Sequence, residues 1–168
     1  EDNPFEAVKG RDDLNGLQKI RLLLTLNHSD AERNQINMQA VPILKDPHIL
    51  AAAVRENRRV LTPLWLELLE EGKKDGSVKT EYTKELSELL PLINFWLMPS
   101  VFPATEEELW HKYHFVKEML AHMGLPLYDD DMTTFTEKFI TAITETPCGH
   151  ASMPENTGKI KEKGGNQL

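Results

Sequence analysis

At 168 residues the chain fits one domain, and a chain of that size buries roughly 70% of its unfolded surface without disulfide or metal staples. Its 40% hydrophobic and 27% charged residues are those of an ordinary globular protein, which excludes a chain disordered throughout, and no apolar run approaches the roughly 20 residues that span a bilayer. A formal net charge of −8 opposes phosphate binding, because non-specific nucleic-acid affinity comes largely from Lys and Arg displacing condensed counterions, so this chain alone is not expected to hold DNA.

Apolar residues recur at three- and four-residue intervals, and no stretch alternates apolar and polar residues with Val, Ile or Thr enrichment. The expected fold class is therefore all-α, with about six helices. The spacing predicts a first helix from about Asp13 to Asn27, with Leu14, Leu17, Ile20 or Arg21, and Leu24 along one side, ended by His28-Ser29-Asp30, which also supplies an N-cap for the next. A sparser second helix is expected from Ala31 to Leu44, with Ile36, Met38 and Val41 as its apolar members, before Pro42 and Pro47 close it.

Asp46 caps a long third helix from Pro47 to Glu71, carrying Leu50, Val54, Leu61, Leu64, Trp65, Leu68 and Leu69. Pro63 sits inside that pattern and should kink the helix or free the carbonyl of Arg59. Gly72 to Ser77 reads as a helix stop and turn.

A fourth helix from Thr80 to Met98 places Tyr82, Leu86, Leu89, Ile93 and Trp96 at alternating spacings of four and three, the seam of a helix that packs lengthwise on another. Pro91 interrupts it, and Pro99 and Pro103 end it. Thr105 with Glu108 forms a capping-box pattern for a fifth helix reaching Met123, with a second seam of Leu109, Tyr113, Val116, Leu120 and Met123. After Gly124 and Pro126, the run Asp129-Asp130-Asp131 opens a sixth helix with Met132, Phe135, Phe139 and Ile143 inward. The helical domain is expected over 1–146, and the Gly-, Lys- and Asn-rich composition after it predicts a flexible tail over 147–168.

No nucleophile elbow, phosphate-cradling glycine loop, dinucleotide fingerprint or zinc pattern is present, so no catalytic residue and no cofactor are expected, and the chain does not read as an enzyme. The single cysteine, Cys148, lies between Pro147 and Gly149, where nothing would hold a base beside it. One cysteine and no basic-then-apolar leader predict a cytoplasmic protein, and the start at Glu1 without Met reads as a cut chain. Asp129 to Asp131 lack the alternation of an EF-hand. His111, His114, Glu118 and His122 step along one stripe of the fifth helix, opposite its seam, and without ligands from a second element they read as surface residues, so no metal is expected. Arg55, Arg58 and Arg59, interrupted by Glu56, read as a solvated face.

The order of several features resembles the regulatory domain of tetracycline-repressor-type (TetR) transcriptional regulators, over roughly residues 14 to 128. These features are the stretch Gly16-Leu17-Gln18-Lys19-Ile20-Arg21-Leu22-Leu23, the Asp46-Pro47 helix start, the Leu64 to Gly76 segment LWLELLEEGKKDG, and Glu106-Glu107-Glu108 leading through Lys112 to Gly124-Leu125-Pro126-Leu127. The resemblance implies a one-component repressor whose three-helix DNA-reading headpiece lies outside this sequence, so that DNA is a partner only through that missing N-terminal part. It implies a homodimer in which two helices per subunit form a four-helix bundle, and the two seams supply the expected interface residues Leu86, Leu89, Ile93, Leu109, Tyr113, Val116 and Leu120.

It also implies an apolar cavity for a small apolar effector. Large, soft side chains suit such a cavity, which makes Met38, Trp65, Leu69, Phe95, Trp96 and Met98 the expected ligand contacts. The competing reading is a helical protein–protein interaction module with a packed core and no small-molecule ligand.

Overall fold

The structure is a computed structural model that describes residues 4–29 and 41–145, with side chains at all of these except 4, 27–29, 41–42 and 142–145. Met38, most of the second expected helix, Cys148 and the expected tail over 147–168 lie outside the described residues.

Every regular element among the described residues is helical. In chain order they are α1 (Pro4–Lys9), α2 (Gly16–Ser29), a 3-10 turn (Val41–Lys45), α3 (Pro47–Glu56), a π turn (Asn57–Leu61), α4 (Thr62–Asp75), α5 (Thr83–Leu97), α6 (Glu106–His122) and α7 (Asp130–Glu145). No described helix is long and apolar enough to cross a membrane.

Helix starts follow their capping chemistry. Asp46 accepts from the backbone N–H groups of His48 at 2.8 Å and Ile49 at 3.3 Å, with Pro47 in the first turn where no donor is missed. At α6 the Thr105 hydroxyl accepts from Glu108 N at 3.2 Å, and the Glu108 carboxylate accepts from Thr105 N at 2.7 Å.

Pro63 acts through the turn before it. Its ring cannot sit over the carbonyl four residues back, and the chain answers with the π turn, in which Thr62 N–H bonds to Asn57 O, five residues back. The helix then continues to Asp75 and not only to Glu71. Gly72 is not the stop: it is buried inside α4 against α2, and Gly76, at φ +81°, takes the left-handed conformation that ends the helix.

The main core gathers Leu17, Ile20 and Leu23 of α2, Trp65, Leu68 and Leu69 of α4, Leu86, Leu90 and Ile93 of α5, Val116 and Leu120 of α6, and Leu125 and Leu127 of the following loop. A second cluster joins Leu109 and Tyr113 to Ile140 of α7. Met132, Thr136 and Ile140 are buried on α7; of the expected inward residues Phe139 packs half-buried against the second cluster, Phe135 is half-buried, and the side chain of Ile143 lies outside the described residues. Helix α1, which the sequence reading did not anticipate, docks through Val8, fully buried, and through Phe5, whose ring meets Trp65 edge-on at 6.2 Å.

Polar ties fix these helices to one another. The Asp75 carboxylate accepts from Gly16 N at 2.6 Å and the Ser77 hydroxyl from Leu17 N at 3.0 Å, so the end of α4 caps the start of α2. The buried Lys19 ammonium donates to Glu71 Oε1 at 2.6 Å and to Lys9 O at 3.1 Å, joining α2 to α4 and to α1. Arg21 donates from Nε to Leu127 O at 2.9 Å and from Nη2 to Pro126 O at 2.7 Å, and pairs through Nη1 with Asp129 at 2.9 Å, which fastens the segment before α7 to α2. At the opposite end of α5, Lys79 N donates to Gly124 O at 2.8 Å. A Cβ on Gly124 would lie 2.4 Å from Lys79 O, so glycine is required there by contact as well as by its φ of +83°.

Candidate functional site

Most residues of the two seams lie inside the single chain. Leu86 and Ile93, Leu109 and Tyr113, and Val116 and Leu120 are each at most 8% exposed and belong to the cores of the single chain. Of the seven expected interface residues only Leu89, 38% exposed, reaches solvent.

The reason lies in the circumference of α5. Its residues Leu86, Leu89, Leu90, Pro91, Leu92, Ile93, Phe95, Trp96 and Leu97 are apolar, and its exposed polar residues are Lys84, Glu85, Glu88 and Asn94. Leu86, Leu90 and Ile93 turn inward, and at about 100° per residue Glu85, Leu89, Leu92 and Trp96 share a second stripe on the outside. Leu92 is 44% exposed on that stripe. Neighbouring exposed leucines on a helix whose other side already fills the core form an apolar surface that suits a partner better than solvent.

Helix α6 extends the patch. Helices α5 and α6 run antiparallel, with Trp96 beside the first half of α6 and Lys79 beside its end. The exposed Phe115 ring meets Trp96 edge-on at 5.9 Å. The Lys112 ammonium lies 5.1 Å from the Trp96 ring centre and 5.6 Å from that of the exposed Phe102, and it donates to Trp96 O at 3.1 Å. Burial holds this ammonium below the usual lysine range, against the opposing pull of the Glu108 carboxylate. Among the described residues no carboxylate lies within ion-pairing distance of Lys112, and Glu85 at the other end of the stripe is equally unpaired.

The expected ligand contacts do not converge. Trp65 and Leu69 are 6% and 0% exposed and are consumed by core packing, while Phe95, Trp96 and Met98 are half-buried around the end of α5. None of these five lines either of two open surface hollows. One hollow, about 570 Å³, is bounded by Glu106, Glu107, Trp110, His111 and His114. The other, about 660 Å³, lies among Asp12, Asp13, Gln18, Glu71, Lys74 and Asp75.

Helix α3 buries no side chain, and its Ile49 is 42% exposed. The His stripe stays outside. His114 stacks beside Trp110 and Tyr113 with ring centres 6.3 and 5.3 Å away, and His122 Nδ1 lies 2.7 Å from Glu118 O within the same helix. Among the described residues no three His, Cys, Asp or Glu side chains are grouped to hold a metal ion.

The outer stripe of α5 and the bare side of α3 are what sequence reasoning missed. The apolar runs Leu89 to Ile93 and Phe95 to Leu97 were the available signal for the first. Comparison with protein-family models, with curated proteins and with solved structures returns no match to this chain.

Proposed function

We propose that this chain is the effector-responsive, self-associating domain of a cytoplasmic one-component transcriptional repressor of the tetracycline-repressor type, acting on DNA through a separate headpiece. The observation that carries the reading is the outer stripe of α5. Leu89 and Leu92, continued by Trp96, Phe115 and Phe102, form a contiguous apolar patch on a helix that already fills a core with its other side. A patch of this kind suits association better than solvent. Two copies joined there bring two α5 and two α6 helices together, a four-helix arrangement reached through different residues from those the seams suggest.

The effector belongs beside α3, where Ile49 and Val60 are exposed and Leu50 and Val54 are half-buried. An apolar molecule held there favours whichever setting of α3 encloses it, and its differential affinity for the two settings is the whole of the available switching energy. A second reading, a helical protein–protein module without a small ligand, is favoured by the position of Trp65 and Leu69 inside the core.

Sedimentation velocity and thermal melting against a library of small apolar compounds test both readings. The repressor reading expects a dimer at micromolar concentration and a compound that stabilises it by about 2.7 kcal/mol at one hundred times its Kd. A dimer that no compound stabilises leaves the module reading. A chain that stays monomeric at every practical concentration overturns the repressor reading.

A further inference from the structure

We infer that two copies of this chain pair α5 against α5 in antiparallel register, locked by an intersubunit ion pair between Glu85 of each copy and the aromatic-caged Lys112 of the other. The inference rests on the self-associating reading above and adds the residues that set its register.

The outer stripe of α5 carries one charged residue, Glu85, at its start, and an ammonium, Lys112, over Trp96 at its end. A twofold axis requires that whatever residue i touches, its copy returns the contact. An axis crossing α5 between Leu90 and Pro91 sets Leu89 against the partner's Leu92, two exposed leucines that then cover each other. The same axis sets Glu85 against the partner's Trp96, on whose ring and carbonyl the partner's Lys112 rests. The leucine match and the charge match thus come from one axis position.

Both charges are available for this. Neither Glu85 nor Lys112 has an ion-pair partner among the described residues. Lys112 is held in place by two rings and a carbonyl, so little side-chain freedom is left to lose on pairing. A parallel pairing of the same stripes would set Glu85 against Glu85 and Lys112 against Lys112, and would be repelled at both ends.

Charge reversal separates this from a role within one subunit. Homodimers of Glu85→Lys carry Lys opposite Lys112, and homodimers of Lys112→Glu carry Glu opposite Glu85. Each is expected to dissociate about tenfold or more readily than the parent chain, since like charges meet at two places. A mixture of the two variants forms a heterodimer in which both contacts are again opposite in sign, so mixing them restores dimers to within about threefold of the parent Kd.

Sedimentation equilibrium of each variant alone and of the equimolar mixture is the measurement, with circular dichroism as the check on folding. Parent dimers that are indifferent to both reversals, or variants weakened separately and not rescued by mixing, overturn the register. Should Lys112→Glu fail to fold, Glu85→Lys mixed with Lys112→Gln replaces it, and the inference fails if that mixture dimerises no better than Glu85→Lys alone. A monomeric parent chain removes the self-associating reading itself, a distinct outcome.

Discussion

Gly16 and Gly72 meet backbone to backbone: a Cβ on Gly16 would lie 2.3 Å from the Cα of Gly72. Helices α2 and α4 can therefore cross this closely only without side chains at the crossing, and the Asp75 cap on α2 depends on that approach. Gly16→Ala is expected to destabilise the fold by about 2–4 kcal/mol, because the obstruction is backbone and cannot swing aside. Gly76→Ala meets nothing within 4 Å and should cost only the left-handed strain, about 1–2 kcal/mol. Urea unfolding of the two variants checks the order.

Leu86 and Leu89 lie three residues apart on α5 with opposite environments, 2% and 38% exposed. Leu86→Ala should cost about 2–5 kcal/mol whatever the protein concentration, as a core truncation does. Leu89→Asp should leave the folded subunit's far-ultraviolet dichroism unchanged and shift sedimentation toward the monomer. Equal losses of folding stability from both would show that the outer stripe is enclosed within the subunit.

Arg21 ties the segment before α7 to α2 by a planar fork that a lysine cannot reproduce. Arg21→Lys is expected to cost about 1–2 kcal/mol, since one ammonium cannot serve two carbonyls and a carboxylate in that geometry. Hydrogen exchange of residues 125–129 should accelerate while that of α4 stays near its original rate. Unchanged exchange at 125–129 would mean that Leu125 and Leu127 anchor the segment unaided.

Two groups give the stability curve its ends. Burial, and then the neighbouring Tyr113, pushes the Tyr128 phenol up to about 12. An unfolded tyrosine ionises near 10, so this stabilisation is complete below pH 10 and is lost as pH rises from there toward 12. Tyr128→Phe should flatten that alkaline fall. Burial pushes Asp75 up, but the hydrogen bonds from Ser77 and from the Gly16 N–H outweigh it and hold the carboxyl below its ordinary value. Its contribution is present above about pH 4 and is lost as pH falls through the lowered value, so Asp75→Asn should flatten the acid limb. Chemical denaturation across pH reads both.

Capping chemistry and apolar spacing made the helices readable in advance. Asp46 and Thr105 start helices where their side chains accept backbone donors, and Gly124 follows one in the left-handed conformation. The choice between Gly72 and Gly76 was not readable, because only the crossing with Gly16 shows which glycine serves contact and which serves the turn. The inward side of α5 was hidden for a different reason. This helix carries leucines on two stripes, and Tyr82, Leu86, Leu89, Ile93 and Trp96 take members from both. Lys112 gave no sign in the sequence, since its rings arrive from Trp96 and from Phe102 in the loop beyond.

The π turn at Asn57–Leu61 sets the phase of everything before it. In an uninterrupted α-helix Leu50, Val54, Leu61, Leu64 and Leu68 would form one continuous band. The wider turn takes up one extra residue, which rotates the two halves of that band by about 100° relative to each other. Trp65, Leu68 and Leu69 are therefore buried in the body while α3 buries no side chain. Pro63 thus works as an indexing tooth on a shaft, fixing the angle at which α3 leaves the rest of the molecule.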